Sequence, residues 1–314
     1  MALLCLSLLC VTETVLFVIF LLALPLYALL VYVLVRHRSS AFESSFFTIF
    51  ISLGVADISS ALCTYLFIKP IFWGWFISFF MWQPFIIAKW SLAFNWFVHF
   101  SQLNGVLLMT LNRFTALVFP DRYQQVWSVS VTRYLIMCQW VLAVIFSLPR
   151  PFMVIGFKYQ PGNQSLNYDL VSADLIGWHF RFLTTLHISL CIVVLLLYSV
   201  MMFSVWRRRN QVAQLSNEQQ GGGAELRLAL IGLIIAATLI AYGVYDVIMV
   251  FSLDMTTTYL LWLVVADVFT ECNPFVLIAL CEDVRVKLLQ TARLQIESRI
   301  DKLEVVTEEF AYFI

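Results

Sequence analysis

Four carboxylates, Asp57, Asp246, Asp267 and Glu271, each fall inside a long run of apolar residues. An ionisable side chain at the centre of a membrane helix costs about 2.5–3.5 kcal/mol on insertion scales, so each needs a partner or a purpose. Asp267 and Glu271 are four residues apart and share one helix face, where either one holds a proton or a cation sits between them. Asn95, His99 and Gln102 form a polar stripe at helical spacing among Trp96, Phe97 and Phe100. The four histidines, His37, His99, His179 and His187, are dispersed, and the seven cysteines show no CxxC and no metal-ligand spacing. This chemistry is hydrogen bonding and ion holding. It predicts no catalytic residue, no metal, no cofactor and no enzyme.

The elements that must position these groups are membrane helices. Of the 314 residues, 62% are hydrophobic and 12% charged, and mean hydropathy is +0.90. In soluble domains charged residues approach a quarter of the total. Net charge is zero and pI near 6.9, which offers no field for nucleic acid. Because backbone groups must pair internally in lipid, a span needs about 20 apolar residues. Seven such runs are predicted, at about 14–35, 45–68, 90–112, 135–157, 182–206, 228–251 and 258–280. The fold class is an all-α, seven-transmembrane helix bundle. Residues 1–281 form the seven-span bundle and 282–314 a tail with an amphipathic helix along the inner membrane face. The apolar stretch 1–11 lacks a basic n-region and reads as a short buried or interfacial segment, with a cleaved signal peptide as the alternative.

Lysine and arginine set the orientation, since they hold connections in the cytoplasm. With the N-terminus outside and the C-terminus inside, 14 basic residues lie inside and five outside, the five being Lys69, Lys89, Arg150, Lys158 and Arg181. The single N-x-S/T sequon, at Asn163, then falls on the outer side, where glycosylation occurs. Aromatic residues from Phe72 to Trp90 suit the outer interface.

Two arginines compete for the inner end of the third span. Arg113 follows the apolar run ending at Leu111, whereas Arg122 follows Pro120, which places it in a loop. Asn112-Arg113-Phe114, then five residues, Pro120, two residues and Tyr123, resembles the D-R-Y-x5-P-x2-Y pattern of rhodopsin-type G-protein-coupled receptors. Leu53 to Asp57 resembles the second-helix L-x-x-x-D, Trp140 the fourth-helix tryptophan, Tyr198 the fifth-helix tyrosine, and Asn273-Pro274 the seventh-helix N-P-x-x-Y with Leu277 in place of tyrosine. The departures are the absent acid before Arg113, the absent cysteines for the usual outer disulfide, and the absent C-W-x-P in span six. With Phe46-Phe47-x2-Phe50 and Trp127 added, the pattern resembles the nematode serpentine chemoreceptors, specifically class gamma.

The resemblance implies a chemosensory G-protein-coupled receptor, multi-pass in the plasma membrane of sensory neurons. Its partners would be a small-molecule ligand, a heterotrimeric G protein and the lipid bilayer, with a receptor dimer left open. It implies that Asp57 faces Gln102 and the Asn273-Pro274 break, holding a sodium ion or water; a protonated acid bonded to its neighbours is the alternative. Arg113 would be the switch, bonded inside the resting bundle and released to a docking helix. Asn112 in place of an acid predicts a loosely held resting state with basal signalling. Asn95 lies 18 residues before Arg113, about 27 Å at 1.5 Å per residue. Receptors of the resembled type hold small molecules at that depth, which implies a ligand pocket among Asn95, His99, His187, Tyr242 and Asp246, with interhelical hydrogen bonding as the alternative for each residue. A retinal protein is excluded because 258–280 holds no lysine. A transporter or ligand-gated channel is the alternative, although no half-to-half repeat is visible.

Overall fold

The computed structural model describes residues 2–39, 42–162, 164–171, 173–213, 223–251 and 255–294. Helix α1 (Ala2–Arg36) is continuous through Pro25, and α2 (Ser45–Cys63) passes through a π-helical turn (Thr64–Ile68) into α3 (Lys69–Trp73). Gly74, with φ of 71°, ends α3 and leads to the short α4 (Ile77–Trp82). Helix α5 (Pro84–Val118) starts with proline at its first turn and stops at Phe119, held in a non-helical conformation ahead of Pro120. Then come α6 (Pro120–Val126), α7 (Val129–Ser147), a hairpin of β1 (Ile155–Gln160) and β2 (Ser165–Leu170), α8 (Ala173–Ala213), α9 (Gly223–Phe251) and α10 (Met255–Leu280). Beyond Cys281, α11 (Glu282–Leu294) runs at 98° to the end of α10.

Helix α5 is the hub, packing on α2, α7, α8 and α9, while α10 packs on α9, α1 and α2. Five stretches, Val11–Arg36, Ser45–Trp73, Val129–Phe152, Gly177–Arg207 and Ala229–Ile248, are long and apolar enough to cross a bilayer, and the bent pair ending α10 adds a sixth. The seventh long helix, α5, carries the polar stripe, which its central position shields. At 35 residues it is about 52 Å long, more than the ~30 Å hydrocarbon core. Outward faces stay apolar: Val141, Val144 and Ile145 on α7 and Leu196, Met202 and Phe203 on α8 are all exposed. Bare faces of this kind are what lipid covers.

Several ends differ from the sequence expectation. Span four stops at Ser147 rather than near 157, because Pro149 and Pro151 cannot continue a helix, and residues 155–160 are a strand. Arg122 lies in the short helix α6, since a proline is tolerated at a first helical turn, and it remains exposed. Residues 69–82, expected in a connection, are largely helical.

The hairpin packs on the N-terminal part of α5. Phe157 pairs with Tyr168 across the strands, and Met153, Ile155, Phe157 and Leu166 pack with Ile71, Phe80 and Ala88. The Tyr168 hydroxyl lies 3.4 Å from Ser91 Oγ, and burial holds its phenol above the ordinary value. Apolar packing thus joins the hairpin to α3, α4 and α5; Cys63, Cys138, Cys191, Cys272 and Cys281 are free thiols. Asn163 lies outside the described residues, as do 295–314 of the expected tail helix.

Candidate functional site

The polar groups of the bundle stack in layers along α5. At the hairpin end, Lys69 Nζ lies 2.6 Å from Asp267 Oδ2 and 3.9 Å from the centre of the Tyr65 ring, and Tyr65 donates its hydroxyl to the same carboxylate at 2.9 Å. Lys69 is fully buried. The π turn accounts for this. From Asp57 to Lys69 is 12 residues, which in an uninterrupted α-helix places them about 120° apart. Absorbing one residue in the wider turn brings them to within about 20°. The cation beside Asp267 and Glu271 is therefore a lysine of the chain, one expected in an outer connection. Glu271 is buried, and neither of its carboxylate oxygens has a hydrogen-bond partner among the described residues. Arg150, also expected outside, is buried with its guanidinium 4.8 Å from the Trp96 ring.

One layer deeper, His187 Nδ1 and Asp246 Oδ2 are 2.6 Å apart, joining α8 to α9. The His187 ring lies 5.5 Å from those of both His99 and Tyr242, and His99 and Tyr242 are 4.8 Å apart. Asn95, His99 and Tyr242 line a cavity of about 20 Å³ with Ser60, Thr64 and Trp262. His187 and Asp246 close its neighbourhood without lining it.

At mid-depth Asp57 accepts from Gln102 Nε2 at 2.8 Å, from Asn273 Nδ2 at 2.6 Å and from the Tyr27 hydroxyl. Gln102 Nε2 also reaches Thr270 Oγ1 at 3.3 Å. This knot ties α1, α2, α5 and α10 at the Pro274 position, with three side chains of other helices bonded to one carboxyl group. Beside it Trp140 donates to Ser52 Oγ at 3.0 Å and Gln139 to the Ser101 carbonyl at 2.8 Å, locking α7 to α2 and α5.

At the C-terminal end of α5 Arg113 is buried, donating from Nη2 to Asn112 Oδ1 at 2.8 Å, with its guanidinium 4.3 Å from the Phe46 ring. Asn112 Nδ2 donates in turn to the Tyr123 hydroxyl at 3.1 Å, so one amide joins Arg113 to α6. Trp127 donates to Thr115 Oγ1, and Ser45 to the Trp127 carbonyl at 2.8 Å, fixing the turn after α6 on α2 and α5. Phe114 is half-buried against Phe119. A Cβ at Gly232 would stand 2.5 Å from the Tyr198 hydroxyl and 3.6 Å from Arg113 Cγ, so α9 presents bare backbone to both residues.

The family model for the serpentine type 7TM GPCR chemoreceptor Srv matches residues 16–294. This chain belongs to the Srv family of serpentine chemoreceptors. It is similar to serpentine receptor class V-1 of Caenorhabditis elegans, 28% identical over 273 residues that cover 84% of this chain and 85% of that protein. Srv membership implies a chemosensory receptor of the G-protein-coupled type, a multi-pass membrane protein rather than a member of an enzyme family. The motif pattern led to nematode serpentine chemoreceptors, but the match is to class Srv and does not bear out class gamma. Sequence reasoning missed Lys69, Tyr65, Tyr27 and Gln139. Tyr27 and Gln139 sit in spans where periodicity gives no absolute rotation, and Lys69 is turned inward by a π turn that no residue type announces.

Proposed function

We propose that this Srv-family receptor lies in the plasma membrane of sensory neurons with its N-terminus outside, binds a small chemical cue in the outer half, and activates a heterotrimeric G protein at its inner end. The polar column along α5, from His99 through Asp57 to Arg113, carries this reading. Asn95, His99, His187, Tyr242 and Asp246 form the cue site. The cavity there, about 20 Å³, has room for about one water, whereas ligand pockets span about 300–1,000 Å³. The described conformation is thus closed, and a cue gains entry by parting Tyr242 and Trp262 from α5. Asp57, Gln102 and Asn273 pass the movement of α10 to α5. Asn112, Arg113, Phe114, Pro120, Tyr123 and Tyr198 are the coupling end, where Arg113 exchanges its buried partners for the transducer.

Cue-dependent nucleotide exchange on a co-expressed Gα is the test. Arg113→Ala should abolish exchange while leaving cue binding intact. His187→Ala should weaken cue binding at normal surface expression. Substrate flux or ionic current without nucleotide exchange would refute the reading.

A further inference from the structure

A second cavity, of about 400 Å³, opens at the end of the bundle that holds Arg113, yet no residue of α5 lines it. Its walls are the last turn of α1 and the connection after it (Val35, Arg38, Ser39, Glu43), the start of α2 (Ser45, Thr48) and the start of α7 (Val129, Thr132, Arg133). The volume falls in the range of about 300–1,000 Å³ typical of small-molecule sites. Two arginines, Arg38 and Arg133, line it with one acid, Glu43, and neither arginine forms an ion pair or a side-chain hydrogen bond among the described residues. Nor does any hydrogen bond among them take the hydroxyl of Ser39 or Thr48. Thr132 is buried and spends its proton on Ser45 Oγ at 3.2 Å and the Ser128 carbonyl at 3.0 Å. The first turns of α2 and α7, 19 residues each, both begin at this cavity, which adds the positive ends of two helices to the two arginines. Exposed Val35 and Val129 give the lining an apolar edge.

We propose that this cavity binds a phosphate-bearing anion, with the headgroup of an acidic phospholipid as its source. The inference rests on the orientation proposed above, which sets the cavity at the cytoplasmic leaflet, where anionic lipids gather. Arg38 and Arg133 grip the phosphate oxygens from two walls, Ser39 and Thr48 donate to them, and Val35 and Val129 meet the glycerol and upper acyl chain. The site lies apart from the cue pocket and does not include Arg113 or any other residue of α5, and its occupant would clamp α1, α2 and α7 together.

The experiment uses the full chain in phosphatidylcholine nanodiscs, titrated with a fluorescent short-chain phosphatidylinositol bisphosphate. Saturable binding should be weakened at least tenfold by Arg38→Gln with Arg133→Gln and largely kept by Arg38→Lys with Arg133→Lys. Arg207→Gln, at an exposed arginine outside the cavity, should leave it unchanged. Soluble inositol trisphosphate is the second arm: failure to compete supports the membrane lipid as source, and full competition supports the same site filled by a free phosphate. No saturable binding, or equal weakening by Arg207→Gln, overturns the proposal. Nanodiscs expose both faces, so a reversed orientation would leave binding intact and appear only in surface labelling. Cue-dependent exchange on the same preparations reports on the signalling reading separately.

Discussion

Lys69→Met removes an ammonium from the bundle while keeping most of the side chain's reach. Asp267, only 4% exposed, is left with Tyr65 as its donor. Breaking a buried ion pair by deleting one partner costs about 3–5 kcal/mol, because the remaining charge is uncompensated. The Tyr65 bond persists, so the lower end, about 3 kcal/mol, is expected; this is about two decades in the folded-to-unfolded ratio. At roughly 2–4 °C per kcal/mol the unfolding midpoint falls by roughly 6–12 °C. Cys63 and Cys191 are buried free thiols, so a thiol-reactive dye added to the detergent-solubilised receptor reports unfolding directly. Asp267→Leu alone should lose a similar amount, since Lys69 is then the orphan. Combining Lys69→Met with Asp267→Leu replaces the pair by apolar volume and also removes the like charge beside Glu271. That variant should return to within about 1 kcal/mol of the parent. If its loss equals the sum of the two single losses, the coupling between α3 and α10 is absent and the latch does not exist.

Asn112→Asp should tighten the resting hold on Arg113, because a charge-assisted bond is roughly twice as strong as a neutral one. Basal nucleotide exchange should fall about fivefold or more for a gain of about 1 kcal/mol; unchanged basal exchange would show that Asn112 does not set the resting level. Gly232→Ala drives a methyl into the Tyr198 hydroxyl and should destabilise the inner end by about 1–3 kcal/mol, with Tyr198→Phe restoring most of the loss in dye-monitored unfolding. Gly74→Ala meets both a left-handed backbone and the Gln164 carbonyl, 2.2 Å from the new Cβ. It should cost more than the ~1–2 kcal/mol of the backbone conformation alone and loosen the hairpin, read as faster protease cleavage between β1 and β2.

What the sequence revealed and what it hid divide along a physical line. Bilayer depth is a one-dimensional property, and hydropathy runs carry it; the seven expected runs each contain most of a long helix. The family resemblance implied one piece of three-dimensional information, the meeting of Asp57, Gln102 and Asn273 from three helices. Rotation about each helix axis is a second dimension, and a single irregular turn resets it. Periodicity counted through residues 64–68 as regular α-helix turns Lys69 away from Asp57 by about a third of a revolution, so a charged residue at the outer rim reads as solvated. The same error makes Asp267 and Glu271 seem in want of an external ion. The hairpin was hidden for a different reason: its strands are six residues long and apolar enough at Ile155 and Phe157 to extend the preceding helical run, and only the two prolines at 149 and 151 mark the change. Both failures fall where α3, α4 and the hairpin pack together. There one π turn suffices to convert Lys69, expected in a loop, into the buried counter-ion of Asp267.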